Sequence, residues 1–426
     1  MRKLLAVAAV SCLVASNAQA NLTDWNWLTQ YQKPNMHYDQ LALHPYYKLS
    51  EVYDSNIYLV PPDQPGTGQV GGGIRSSWIT KNDLGMEAVL PWNHINNLNL
   101  GYEFESDVYT TLPSVNNTIN QALHADYVRK GAQGMTYKAG DQYVNTTDQA
   151  FSELVQRERR WMNRVYAEAD YTPEKGRLAW GVMADHEADK YLDPTIGASL
   201  NRYQEDLGFN VGYMIQPKTK AYVSYTRGII HYTVNPVSGP DNDNKSHTVA
   251  AGVTGVLSPK ITGQVEVGET YREYDSAIPG QPLVYRSPVV TVNVTWAADK
   301  YTDVTLTLSR LYEESIDSNN AFYYSNNAVL DIRHKFPHKF SAGVNFAVGV
   351  DQYPNSQTFA SANQTFGPTL GYRHDDLYQY GGWIEYDIQQ WLSTGLAYVY
   401  RERDSTFSGE FNYQDSQVSW NAALKF

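Results

Sequence analysis

The sequence predicts an all-β protein, a transmembrane antiparallel β-barrel of the outer membrane with about eighteen strands and sixteen as the alternative count. Three observations predict it. The chain opens on an export signal, alternates apolar and polar residues with a period of two over most of its length, and ends in a strand that alternates down to its last residue, Phe426.

The export signal is "MRKLLAVAAVSCLVASNAQA". Arg2 and Lys3 precede a short apolar run, and Ala18-Gln19-Ala20 forms a small-x-small cleavage site. The expectation is a signal peptide over 1–20, cleaved near Ala20, and a protein placed in the outer membrane of a Gram-negative bacterium. The apolar run is too short to span a bilayer as a helix. No Leu stands three residues before Cys12, so a lipid-acceptor cysteine is not expected there. Cleavage removes the only Cys, and the remaining 406 of 426 residues cannot use a disulfide.

Composition narrows the class further. The chain carries 34 Tyr, 10 Trp and 12 Phe, yet its mean hydropathy is −0.49. No stretch approaches twenty apolar residues, which excludes transmembrane helices. The net charge of −12 becomes −14 once Arg2 and Lys3 leave with the signal, and that balance argues against a nucleic-acid partner.

Residues 21–45, with Trp25 and Trp27, show no clean alternation and read as a periplasmic lead-in or small plug. The barrel is expected over 46–426, with strands starting near 46, 72, 97, 119, 134, 159, 177, 201, 219, 245, 260, 284, 303, 322, 339, 376, 391 and 415. Within 72–90, "KND" at 81–83 could be a turn that splits the strand. Tight turns such as "TPEKG" (172–176), "QPKTK" (216–220), "LSPK" (257–260), "AADKY" (297–301) and "FPHK" (336–339) alternate with longer connections. The longer ones are "VNPVSGPDNDN" (234–244), "DSAIPGQPL" (275–283) and a stretch near 353–375. Short turns on one side and long loops on the other are the asymmetry of an outer-membrane barrel.

The strands are two-faced. Over 284–296, Pro288, Val290, Val292, Val294 and Trp296 share one face, and Ser287, Thr291, Asn293 and Thr295 the other. Over 97–108, Leu98, Leu100, Tyr102 and Phe104 alternate with Asn99, Gly101, Glu103 and Glu105. Trp296, Trp383, Trp391 and Trp420, with Tyr171, Tyr213, Tyr398 and Tyr400, are expected on the apolar face as interfacial girdles. The final strand carries Val418, Trp420, Ala422, Leu424 and Phe426 on its apolar face. It must pair with the first strand so that no edge is left unsatisfied in lipid.

Assigning the apolar face to lipid leaves the other as lumen. The expected pore-lining residues are Glu103, Glu105, Asp107, Arg160, Arg164, Glu168, Asp170, Asp185, Glu187, Asp189, Arg202 and Asp206 in the first half. The second half adds Glu266, Arg272, Tyr285, Tyr323, Asp331, Arg333, Asp351, Glu385, Asp387, Arg401 and Arg403. Charges of both signs there would set selectivity or brace the wall. Across the 173–176 turn, Arg160 and Arg164 are expected near Glu187 and Asp189. Arg401 and Arg403 should lie near the external end of their strand. Tyr285 and Tyr323 could stack on sugar rings, and the acidic balance favours a neutral or amino-sugar polymer over a highly anionic one.

Enzyme chemistry finds no support, and no catalytic, cofactor-binding or metal residues emerge. In "DHEAD" (185–189), His186 falls on the outward face while Asp185 and Glu187 point the other way. His124 and Asp126 share a face at a spacing common by chance.

Several segments together resemble a β-barrel porin family of the Gram-negative outer membrane, often encoded beside exopolysaccharide-synthesis and export proteins. They are "YYKLSEVYDSNIYLVPPDQ" (46–64), "LNLGYEFESDVYTT" (98–111), "KAYVSYTRGIIHY" (220–232), "ITGQVEVGETYREYDSA" (261–277), "DVTLTLSRLYEESIDSNNAFYYSNNAVLDIRHKFPHKFSAGVNF" (303–346) and "LSTGLAYVYRERDST" (392–406). The resemblance covers roughly 46–426 and is closer in the second half. It implies a channel, with polysaccharide and periplasmic export proteins as partners, and transfers no catalytic residues. The alternatives on the same architecture are a passive diffusion porin for small hydrophilic solutes and a structural or adhesive barrel without an open pore. Outer-membrane lipid and lipopolysaccharide are the expected surroundings. Phe426 looks like the C-terminal signal read by the barrel-assembly machinery.

Overall fold

A computed structural model describes residues 36–61, 73–149, 157–234, 242–276, 282–315, 319–359 and 369–426. The expected signal peptide and most of the 21–45 lead-in lie outside the described residues. Eighteen strands form the wall. They are β1 Leu41–Asp54, β2 Ser77–Leu90, β3 Asn96–Tyr109, β4 Thr118–Lys130, β5 Met135–Thr146, β6 Arg160–Tyr171, β7 Leu178–Tyr191, β8 Arg202–Gln216 and β9 Thr219–Tyr232. Then follow β10 Asn244–Ser258, β11 Ile261–Tyr274, β12 Val284–Ala297, β13 Thr302–Glu314, β14 Phe322–Lys335, β15 Phe340–Phe359, β16 Thr369–Gln389, β17 Leu392–Ser405 and β18 Tyr413–Lys425. Each pairs antiparallel with the next, and β18 returns to β1 from Tyr46↔Lys425 to Asp54↔Gln417. The sheet is therefore closed, as a wall facing hydrocarbon requires.

Connections alternate in length. Residues 91–95, 131–134, 172–177, 217–218, 259–260, 298–301, 336–339 and 390–391 turn on one side, the side on which Leu41 and Lys425 also lie. In the 298–301 turn, the backbone N–H groups of Tyr301 and Thr302 donate to Asp299 Oδ1 at 2.7 and 2.9 Å. These bonds hold the Asp299 carboxyl below its ordinary pKa. Near the 259–260 turn, Gly255 and Gly263 face each other with φ of 119° and 150°. A Cβ on either would meet a backbone carbonyl oxygen, at 2.0 Å from Lys218 and 2.1 Å from Asn293 respectively, so only glycine fits.

Three boundaries differ from expectation. The first strand begins at Leu41 rather than 46, and Met36–Tyr38 pairs back on Leu41–Leu43, so 36–45 extends the wall and does not enter the bore as a plug. Pro45 is tolerated because its ladder side faces the end of the chain, where the Phe426 N–H donates to its carbonyl at 3.1 Å. The "KND" segment does not turn: Lys81 and Asp83 point inward within an unbroken β2, and Asn82 outward, accepting a hydrogen bond from the Tyr47 hydroxyl. The 353–375 stretch is not all loop, since β15 and β16 stay paired out to Phe359 and Thr369 across a register shift between Gln352 and Ser356.

Candidate functional site

Because side chains alternate strictly along a strand, one residue's direction fixes its whole strand. Val265 and Val267 are exposed on the outside, so Glu266 faces the bore, and the registers carry that phase around the barrel. The expected lumen residues all occupy concave-face positions.

There they are cross-linked laterally. On β1–β4, Lys48 lies 3.6 Å from Asp83, and Lys81 lies 3.6 Å from Glu105 and 3.2 Å from Asp107. Tyr46 Oη donates to Glu103 at 2.5 Å and Asn120 Nδ2 to Glu105 at 2.8 Å. On β5–β8, Lys138 donates to Glu168 at 2.7 Å and sits 3.8 Å from Asp170. Arg164 Nε donates to Asp185 at 2.7 Å, beside Glu187 directly across the strand pair. Arg202 is 3.4 Å from Asp189, and Gln204 donates to Asp206 at 2.7 Å. Farther round, Tyr222 donates to Glu266, Asn345 to Asp331, Ser325 to Asp351 and Arg401 to Asp415. Arg333 stands opposite Asp303, Asp387 opposite Ser393, and Glu385 lies 3.8 Å from Lys425. Arg403 is buried with its guanidinium 5.1 Å from the centre of the Tyr413 ring.

Glu168 and Asp170 lie opposite Met183 and Gly181 near the start of β7 and find their cation on β5. One expected grouping is different in detail. Arg160 does not reach Glu187 or Asp189; it donates to the backbone carbonyls of Asp148 and Gln149 in the 147–159 connection.

A second feature joins five rings. Tyr46, His124, Tyr166, Tyr222 and Trp383 each face a glycine directly across a strand pair: Gly85, Gly101, Gly140, Gly252 and Gly343. A Cβ on any of these glycines would lie 2.2 to 2.8 Å from the nearest ring atom. The rings therefore lie flat along the wall instead of projecting into the bore, a cross-strand use of glycine familiar in sheets. Tyr166, Tyr222 and Trp383 remain partly exposed on the inside. Trp383 thus corrects the girdle assignment, since it is in phase with Glu385 and Asp387. These platforms were legible from parity alone: Tyr166 stands between Arg164 and Glu168, and Tyr222 between Lys220 and Ser224. A Gly343→Ala substitution should force the Trp383 indole off the wall and lower single-channel conductance, with the folded yield retained. An unchanged current would show that the ring already has room to tilt.

The long-loop end of the bore is narrowed from within. The seam between β12 and β13 is paired only from Val290↔Arg310 down to Ala297↔Asp303. Above it, β13 and β14 remain paired to each other up to Glu314↔Phe322. Parted from β12 but still laddered to β15 up to Tyr324↔Gln352, this tip leans inward, so that its nominally outward face packs on the inner face of β9–β12. Phe322, 1 % exposed, has its ring 6.2 Å from Tyr274 and 4.6 Å from Tyr285. Glu314 pairs with Arg272 and accepts from the Tyr232 hydroxyl at 3.3 Å. On the tip's other face Tyr323, also 1 % exposed, stacks on Tyr353 at 5.0 Å. Tyr285 and Tyr323 are therefore packing elements of the narrowing: Tyr323 is stacked and buried, and Tyr285 stays half-exposed with edge-on contacts to Tyr274 and Phe322. Opposite, Ile57 of the first connection packs on Ile79 and Tyr109.

The family model described as "Putative beta-barrel porin 2" matches residues 132–426. No curated protein matches the chain. Similar solved structures include a bacterial polysaccharide outer membrane secretin, at 11 % identity and TM-score 0.35, covering 89 % of this chain and 98 % of that one. The outer membrane protein opdK from Pseudomonas aeruginosa matches at 9 % identity and TM-score 0.45, covering 90 % and 99 %. The siderophore receptor PirA from Acinetobacter baumannii matches at 9 % and 0.42, covering 90 % and 80 %. With a closed eighteen-stranded wall, a charged lumen and a family match over more than half its length, the chain belongs to the beta-barrel porin 2 family of porin-like outer-membrane channels.

Proposed function

We propose that the barrel is the exit channel for a secreted exopolysaccharide, fed by periplasmic and inner-membrane export proteins that supply the energy. The flat lumen rings carry this reading. Sugar polymers bind through their C–H faces on aromatic planes and through hydroxyl hydrogen bonds. Tyr166, Tyr222 and Trp383 offer such planes beside Lys138, Arg164, Glu266 and Glu385. Flush rings give weak, repeated contacts without blocking the bore, which suits a chain that must keep moving. The acidic balance of the chain favours a neutral or amino-sugar polymer. The inward β13–β14 tip supports a channel that is restricted between transport events over one that leaks small solutes continuously.

Deleting the gene should lower surface exopolysaccharide at least several-fold. Wild-type protein should restore it, whereas a folded Tyr166→Ala/Tyr222→Ala/Trp383→Ala triple variant should restore little. Unchanged polysaccharide after deletion would sink the proposal. Full rescue by the triple variant would remove the rings from it.

A further inference from the structure

The mid-height band of the outer wall contains one misplaced charge among the described residues. At positions three to seven residues from the short-turn end of every strand, the outward side chains lie in the middle of the lipid-facing band. There they are Val, Leu, Ile, Phe, Tyr, Trp, Met, Ala, Pro or Gly throughout, with one exception among the described residues: Asp141, at the middle of β5. Asp141 is exposed, and Asn163 Nδ2 on β6 donates to its Oδ1 at 2.6 Å, which pins it on the outer surface. A carboxylate on so short a stem cannot reach either interface, as a lysine or arginine can. Around it the wall is shallow, because Ala125, Ala139, Ala167 and Ala184 replace the larger side chains found at this level elsewhere. Small residues let another wall approach closely within the membrane.

We propose that this face is an interface between copies of this chain, with Asp141 of one copy paired to Arg227 of the next. Arg227 is on the outward face of β9, eight residues from its short-turn end and exposed, and it has no hydrogen bond or ion pair among the described residues. Its long stem covers the small difference in height. A two-fold contact would set Asp141 against Asp141 and is disfavoured by like-charge repulsion, so the contact is head-to-tail and must close into a ring. β9 stands four strand steps round from β5 in a wall of eighteen, an arc of about 80°. Neighbours subtend about 60° in a ring of three and about 90° in a ring of four, so three or four copies fit. Such a ring does not depend on the transported solute.

The test is sedimentation velocity of the full chain extracted in mild detergent, alongside chemical crosslinking in intact outer membranes. Wild type should sediment as a trimer or tetramer and crosslink to the same size. Asp141→Leu and Arg227→Leu, each still heat-modifiable on gels and therefore folded, should both run as monomers. The reciprocal exchange Asp141→Arg with Arg227→Asp should restore the assembly. A wild-type monomer by both methods, or assemblies that survive both single substitutions, would overturn the interface. Dissociation by the single variants without rescue by the exchange would overturn the Asp141–Arg227 pairing.

Discussion

Replacing Phe322 with Ala should raise the steady conductance of the purified channel in planar bilayers by tenfold or more. The β13–β14 tip is parted from β12, with no β12–β13 pairing above Val290 and Arg310 among the described residues, while β14 stays laddered to β15 up to Tyr324↔Gln352. On the β12 side it is held inward by contacts centred on one ring. Phe322 packs edge-on against Tyr285 and Tyr312, at 4.6 and 4.7 Å, and lies nearly parallel to Tyr274. Truncating a buried Phe to Ala typically costs about 3–5 kcal/mol. Here that loss falls on docking of the tip, because the rest of the barrel is held by continuous ladders. A shift of about 3 kcal/mol changes the ratio of docked to undocked tip by roughly a hundredfold. The Glu314 contacts with Arg272 and Tyr232, and Asn320 bonding to the Asn355 backbone, oppose full release, which is why tenfold is the conservative expectation. Phe346→Ala, on the lipid face of β15, is the control and should leave the current unchanged. If Phe322→Ala conducts like wild type in a folded barrel, the tip is not the barrier.

The tip also shows where a sequence reading of such a protein stops. Strict alternation makes every wall strand legible: Glu266 between Val265 and Val267 can face only inward if the valines face lipid. Strand number follows from the same pattern, because turn chemistry at "LSPK" or "FPHK" marks one side of the barrel. The inversion of the tip has no such local signature. Phe322 and Tyr324 are in phase with Leu330 and Ile332 and so read as lipid-facing. Their burial comes from an opened seam between β12 and β13 and from rings on β11 and β12, which no local pattern reports. One hint was present: Arg310, Glu314 and Asn326 also share the phase of the lipid-facing leucines, and three polar residues on that face argue against lipid contact. Trp383 was misplaced for a different reason. Residue type, a tryptophan expected in a girdle, outweighed its phase with Glu385 and Asp387. The partners of Lys48, Lys81 and Lys138 depend on register, which alternation alone does not supply.

Register also underlies the sharpest test of the wall itself, at two adjacent residues of β12. Val292 pairs with Val265 on one side and Leu308 on the other, all three on the outer face at mid-height. Thr291 is opposite Glu266 and Ser309 on the inner face. An arginine at the bilayer midplane of a barrel costs about 2–4 kcal/mol, so Val292→Arg should destabilise refolded protein by that amount in denaturant titrations and reduce the folded fraction in the outer membrane. Thr291→Arg places the same cation in water beside the Glu266 carboxylate. Its stability should stay within about 0.5 kcal/mol of wild type, as for a solvent-exposed substitution, while the reversal potential in a salt gradient shifts toward anions. Both substitutions introduce the same cation, one position apart. Equal stability of the two variants would mean that the register of β12 is off by one residue. Because the ladders are continuous from β1 round to β18, such a slip would turn the lumen carboxylates of the neighbouring strands toward lipid as well. The apolar band on those strands leaves no room for that, and a clear difference between Val292→Arg and Thr291→Arg is therefore a test of the whole inner face.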